Sequence, residues 1–221
     1  MTDFKAAIFD LDGTLLDSIG DLSDAMNETL KSYGFPTFPI DHHTRAVGNG
    51  IRAYALKCIP EEKITDDFAT EFVKKVNERY DKSCTVNTKP FDGIIPLLDY
   101  LKSENIVLNV LSNKMDPFAK AMIEHFFAEY GFKFVFGERP GVPKKPDPAA
   151  ALSIAEGCKA TPSEVIFIGD SIYDVLTGKN AGMFSVAACW GYQSVEMLKE
   201  KKPDLLAYTP YDIVEYLKDR R

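Results

Sequence analysis

The chain has 221 residues, with 26 lysines and arginines against 33 aspartates and glutamates, a formal charge of −7. An apolar fraction of 45% with 27% charged residues is ordinary for a folded protein; it excludes disorder, collagen and coiled coil and leaves enough chain to bury a substantial core. No uninterrupted apolar stretch reaches the roughly 18–20 residues of a membrane span, and the lack of a long basic block argues against nucleic-acid binding.

The N-terminal Met1-Thr2-Asp3-Phe4-Lys5 leads into Ala6-Ala7-Ile8-Phe9. That run is too short for a signal-peptide core and is closed at once by carboxylates, so the expected location is the cytoplasm. A wholly apolar run of this length fits a strand covered on both faces, as in a parallel sheet. From Ser18 to Asn87 the pattern turns helical. Ile19, Leu22, Met26, Leu30 and Tyr33 recur at spacings of three and four, and Gly34 and Pro36 end that helix. His42 and His43 sit beside Asp41 and are expected at the surface. Val47-Gly48-Asn49-Gly50 is a turn before a short helix over Ile51 to Ile59, and Phe68, Phe72, Val76 and Tyr80 mark a second long helix.

Strand and helix patterns then alternate. A helix is predicted over Ile94 to Ser103, and a strand over Ile106 to Leu111 ending in Ser112-Asn113. Further helices are predicted over Pro117 to Tyr130 and Pro148 to Glu156, and a strand over Val165 to Ile168 ending in Gly169-Asp170. Lys133 to Phe136, Ser185 to Ala188 and Leu205 to Tyr208 are weaker strand candidates. This order predicts an α/β fold: a Rossmann-like open parallel sheet with right-handed crossovers and an inserted α-helical domain. The core domain is expected over residues 1–17 and 88–221, and the helical insertion over 18–87. Ligands of such sheets lie beyond the carboxyl ends of the strands, where the polar residues above cluster. Cys58, Cys84, Cys158 and Cys189 form no metal or redox motif and are expected as reduced thiols.

Four segments carry chemistry. In Asp10-Leu11-Asp12-Gly13-Thr14-Leu15, two carboxylates just past a buried strand are costly without a nearby cation or proton, and a magnesium ion with its preference for oxygen ligands would meet that need. The further oxygen ligands and downstream Glu of a calcium loop are missing. Ser112-Asn113-Lys114 offers a hydroxyl and amide donors for a phosphate oxygen. In Lys144-Lys145-Pro146-Asp147-Pro148, prolines stiffen the backbone around an ammonium that could neutralise phosphate and an attacking carboxylate. Gly169-Asp170-Ser171-Ile172-Tyr173-Asp174 places two more acids after a strand. Asp170 is set for a metal, and Asp174, a helical turn on, for metal-bound water or for orienting the lysine. A helix cap with a first-turn acid accounts for the same residues.

In this order, the four segments resemble the haloacid dehalogenase superfamily over essentially the whole chain. The helical insertion after the first motif resembles that superfamily's first-type cap. Asp17-Ser18, Val47-Gly48-Asn49-Gly50, Ala181-Gly182-Met183 and Trp190-Gly191-Tyr192 are similar to its phosphoglycolate phosphatase-like group. The resemblance implies that Asp10 is the nucleophile forming an aspartyl-phosphate and that Asp12 is the general acid and then base. It implies phosphoryl contacts from Thr14, Ser112 and Asn113, and identifies Lys145, not Lys144, as the motif lysine. Magnesium would be held by Asp10, the backbone carbonyl of Asp12 and Asp170, with Asp174 in support.

Within that superfamily, the resemblance of Asp12 implies phosphomonoester hydrolysis or phosphomutase chemistry, and Gly13-Thr14-Leu15 is more similar to its hydrolases than to its sugar phosphomutases. The implied substrate is a small phosphorylated metabolite, 2-phosphoglycolate being one candidate. A sugar phosphomutase of the β-phosphoglucomutase type, a pyrophosphatase or a nucleotidase are alternatives, as is a catalytically idle scaffold. Arg45, Asn49 and Arg52, around the Gly48–Gly50 turn, are candidate selectors for a substrate carboxylate. Trp190 and Tyr192 are expected to pack. No nucleic-acid or membrane partner is expected, and the chain is expected to act as a monomer or homodimer.

Overall fold

The computed structural model describes residues 4–220; the reading of Met1 to Asp3 lies outside them. The main sheet has six parallel strands in the order β5-β4-β1-β6-β7-β8: β1 (Ala6–Phe9), β4 (Val107–Met115), β5 (Phe134–Glu138), β6 (Val165–Gly169), β7 (Phe184–Ala188) and β8 (Leu205–Ala207). The first strand lies between β4 and β6, with Phe9 level with Val110 and Ile168. Its side chains alternate between two cores, which explains its unbroken apolar run. Ala7 and Phe9 pack with Leu97, Leu98 and Leu101 of α5 (Ile94–Ser103) and Met122 of α6 (Asp116–Phe127). Ala6 and Ile8 pack with Ala151 and Ile154 of α7 (Ala149–Gly157). The remaining helices on this sheet are α8 (Ile172–Asn180), α9 (Val195–Glu200) and α10 (Pro210–Lys218).

The segment after β1 is helical, as expected: α1 (Ile19–Ser32), α2 (Ile40–Ala46), α3 (Gly50–Leu56) and α4 (Asp66–Ser83). These helices have a hydrophobic cluster of their own, including Met26, Leu30, Tyr54, Phe72 and Val76. A two-stranded antiparallel pair joins the way out of the sheet to the way back, β2 (Leu16–Asp17) with β3 (Lys89–Pro90). Beside it, the buried Asp21 carboxylate accepts from the backbone N–H groups of Asn87 and Thr88 and from the Thr88 hydroxyl, at 2.7–3.1 Å.

Several expectations need revision. Strand β4 continues through Ser112, Asn113 and Lys114 to Met115, because Met115 re-pairs with Glu138 of β5 after a shift in register. The α2 helix and the β2–β3 pair were not anticipated; the two paired strands are too short to show a period. His43 is buried, not at the surface. Its Nε2 lies 3.2 Å from the Phe38 carbonyl and its Nδ1 2.7 Å from the Tyr54 hydroxyl. A carbonyl only accepts, so Nε2 carries the proton and Nδ1 accepts from Tyr54; burial, which lowers the His43 pKa, favours this neutral form. The cysteines are free thiols.

Asp21→Ala would leave the buried N–H and hydroxyl of Thr88 without an acceptor and free the Asn87 donors. It should cost about 3 kcal/mol, read as a lower urea midpoint, while Asp21→Asn, which keeps one acceptor oxygen, should lose less.

Candidate active site

Four chain segments meet at the carboxyl end of the sheet. Asp10 follows β1; its N–H donates to the Ile168 carbonyl at 2.9 Å, and its Oδ1 accepts from the Leu11 N–H at 2.7 Å. The turn then closes through Gly13, whose φ is +83° and where an added Cβ would stand 2.3 Å from Asp170 Oδ2. Only glycine satisfies both the conformation and the close approach. The Thr14 hydroxyl donates to Asp170 Oδ1 at 3.1 Å, and the Tyr192 N–H donates to Asp170 Oδ2 at 2.8 Å.

Lys145 enters from the loop after β5, its side chain 1% exposed. Its ammonium is 2.9 Å from Asp10 Oδ1 and 2.6 Å from Asp174 Oδ1. The other Asp174 oxygen accepts from the Ser171 N–H and hydroxyl at the start of α8. Asn113 holds the lysine loop: its Oδ1 accepts from the Lys145 N–H at 3.0 Å, and its Nδ2 donates to the Gly48 carbonyl at 3.2 Å. Lys144 is elsewhere, 3.5 Å from Glu138 and donating to the Asn49 carbonyl.

Asp10, Asp170 and Asp174 thus form a buried cluster in which one oxygen of each lies within 4.8 Å of the others. Burial, and then the charge of Asp174, push Asp10 up to about 6, against the pull of Lys145 and a hydrogen bond from Ser112. Burial, Asp174 and Asp10 likewise push Asp170 well above the carboxylate range. Burial alone would lower the Lys145 ammonium, but Asp10 and Asp174 more than offset it and raise its pKa. Three clustered acids with one ammonium bridging two of them leave negative charge uncompensated, and hard oxygen donors at this spacing fit a divalent cation.

Asp12 is outside this cluster. Its carboxylate accepts from the Lys114 ammonium at 3.0 and 3.1 Å and from the Ser18 hydroxyl. Asp12 and Lys114 line a cavity between the sheet end and the helical segment, together with Asp10, Ser112, Tyr80 and Tyr192. Of the expected substrate contacts, Ser112 and Asn113 line this cavity, Asn113 also holding the Lys145 N–H, whereas Thr14 does not line it and bonds to Asp170. Arg45 is exposed, Arg52 binds Asp66 and Thr70, and neither they nor Asn49 line the cavity. Sequence reasoning gave Lys114 and Tyr80 no role in the site. The alternation of a longer β4 puts Lys114 on the same side as Ser112 and would have drawn attention to it. Tyr192, expected to pack, also lines the cavity, and its hydroxyl accepts from the Ser18 and Ile19 N–H groups.

The parallel α/β core thus brings a lysine and three buried acids together at its strand ends, the arrangement of an enzyme site. Residues 7–188 match the family model described as haloacid dehalogenase-like hydrolase, and the chain belongs to that family. A protein of Aquifex aeolicus named phosphoglycolate phosphatase is 32% identical over 213 residues, covering 96% of each chain. One of Pseudomonas aeruginosa, named phosphoglycolate phosphatase 1, is 29% identical over 91% of this chain and 75% of its own. A crystal structure from Haemophilus somnus, titled a predicted phosphoglycolate phosphatase, matches with a TM-score of 0.90 at 25% identity, over 98% of this chain and 99% of that one.

The raised Asp10 pKa has a consequence for stability. Without metal, the folded chain keeps the Asp10 proton up to about pH 6, whereas an unfolded chain releases it near its ordinary value of 3.8. This group's contribution to stability therefore falls as pH rises between those values and stays lower above them. In chelator, the stability of Asp10→Asn relative to the wild type should rise across that window, measured by urea unfolding at each pH. Millimolar magnesium should stabilise the wild type above pH 6 and shrink that difference.

Proposed function

We propose that this hydrolase is a magnesium-dependent phosphatase of a small phosphomonoester, with 2-phosphoglycolate as the leading substrate. The observation that carries the reading is Asp10. Its carboxylate sits at a strand end, 2.9 Å from the Lys145 ammonium, in a cluster with Asp170 and Asp174. A second carboxylate, Asp12, faces the same cavity two residues on. The named relatives support a phosphate ester as substrate.

In this reading Asp10 attacks phosphorus and the ester P–O bond breaks, leaving the phosphoryl group on the Asp10 oxygen. Asp12 gives its proton to the leaving oxygen, so an alcohol departs instead of an alkoxide. Asp12 then takes a proton from water as that water attacks phosphorus, releasing phosphate and restoring Asp10. Lys145 and the Ser112 hydroxyl hold the nucleophile and balance charge on the transferring group. Asp10, Asp170 and the Asp12 backbone carbonyl would hold magnesium, with Asp174 in support. When bound, the ion would offset the negative charge of the phosphoryl oxygens. Thr14 acts here by orienting Asp170, and Asn113 by holding the Lys145 loop. Residues 18–87 serve as a cap over residues 1–17 and 88–221, excluding water from the site.

Phosphate release from a panel of phosphoglycolate, sugar phosphates, nucleotides and pyrophosphate, with magnesium or EDTA, tests this. Release should require the metal and be strongest for phosphoglycolate. Asp10→Asn should be folded and inactive, since it loses the nucleophile's charge at nearly constant volume, and Asp12→Ala should slow both steps by about 10²–10⁴-fold. Turnover by Asp10→Asn would rule out the covalent route, and transfer of phosphate to an isomerised sugar would point to a mutase.

A further inference from the structure

We infer that Lys114 selects the substrate. Its ammonium would take an acidic group borne beside the ester oxygen, making the preferred substrate the phosphate ester of a short hydroxy acid. This rests on the phosphatase reading above. Among the described residues lining the cavity, Lys114 is the one lysine or arginine. Its side chain is 5% exposed, yet its ammonium contacts groups at the reacting end. It reaches both Asp12 oxygens and donates to the Tyr80 hydroxyl at 2.7 Å, 4.4 Å above that ring's centroid. Asp12 must touch the ester oxygen to protonate it. A carboxylate one carbon from that oxygen therefore falls within reach of the same ammonium, in a buried place where a charge-assisted hydrogen bond is strong.

The roof of the cavity narrows the class further. From the helical segment and its surroundings come Leu22, Val47, Ile51 and Phe118. Polar side chains are few on this side: Tyr54 is paired with His43, Tyr80 with Lys114 and the Asn77 amide nitrogen with Met115 Sδ at 3.1 Å, while Gln193 enters from the sheet side. A sugar phosphate would press most of its hydroxyls against the apolar part of this lining, which is unfavourable. A short acid needs only Lys114. The same reasoning removes the selector role from Arg45 and Arg52, which lie off the cavity.

The test compares kcat/KM for 2-phosphoglycolate with that for ethyl phosphate, which has a methyl group where the acid has its carboxylate. The wild type should favour the acid. In Lys114→Met this preference should fall by about 10- to 100-fold, and Lys114→Arg should restore part of it. A Lys114 that merely balances Asp12 would slow both esters alike and leave the ratio unchanged, which would overturn the inference while the phosphatase reading stands. A ratio that follows Arg52→Ala instead, or a wild type indifferent to the carboxylate, would also overturn it. Absence of release from every ester would remove the phosphatase reading itself and the inference with it. Should Lys114→Met fail to fold, inhibition of the wild type by 3-phosphonopropionate and propylphosphonate, which replace the ester oxygen by a methylene, carries the same comparison. 3-Phosphonopropionate should inhibit about 10-fold or more tightly, and equal inhibition would overturn the inference.

Discussion

The constraint on which this structure turns is the burial of Asp10, Asp170 and Asp174 together, with one ammonium bridging Asp10 and Asp174. Carboxylates in so dry a place need close opposite charge or a proton, and one lysine does not balance three. The local architecture serves to keep them together. Gly13 allows the first turn to pass against Asp170, and Thr14 and Tyr192 grip that carboxylate from two directions. Asn113 ties the lysine loop to β4. The parallel order of the sheet, with β1 between β4 and β6, brings segments more than a hundred residues apart to one edge.

Among the links between the helical segment and this edge, three differ in character and bear on the site. The β2–β3 pair and Asp21 fix its base, so the chain leaves and returns through one narrow neck. The Gly48 carbonyl rests on Asn113, the residue that also holds the Lys145 loop. The Tyr80 hydroxyl meets Lys114, bringing a long helix of the insertion to the partner of Asp12. Movement of this segment relative to the sheet would therefore be felt at Lys114 and at the lysine loop together.

Much of this was legible in the sequence where burial leaves a simple mark. Strands β1 and β6 are covered on both faces and so read as apolar runs ending in acids. The long helices α1 and α4 show a clear period because each packs along one side. Legibility failed where an element is too short for a period or where a side chain's partner lies far along the chain. His43 has polar neighbours in sequence, but its helix turns it inward to Tyr54. Arg52 lies between Ile51 and Tyr54, which face the cavity, and so turns to Asp66 and Thr70 on α4. The turn sequence alone could not tell which side of this seven-residue helix faces the sheet.

The two acids of the first motif show how environment separates chemically identical groups. Asp10 shares its surroundings with other carboxylates and is held by a lysine that serves two of them. Asp12, only two residues away, has left that cluster and lies against a different lysine and a hydroxyl at the seam with the helical segment. A carboxylate committed to a crowded anionic cluster suits attack on phosphorus under a compensating cation. A proton carrier needs the opposite: a place beside the departing oxygen, apart from the cluster, with partners that can release it. A single intervening residue, Leu11, separates these unlike sites, and the different partners of the two carboxylates give the proposed division of labour between Asp10 and Asp12 its basis.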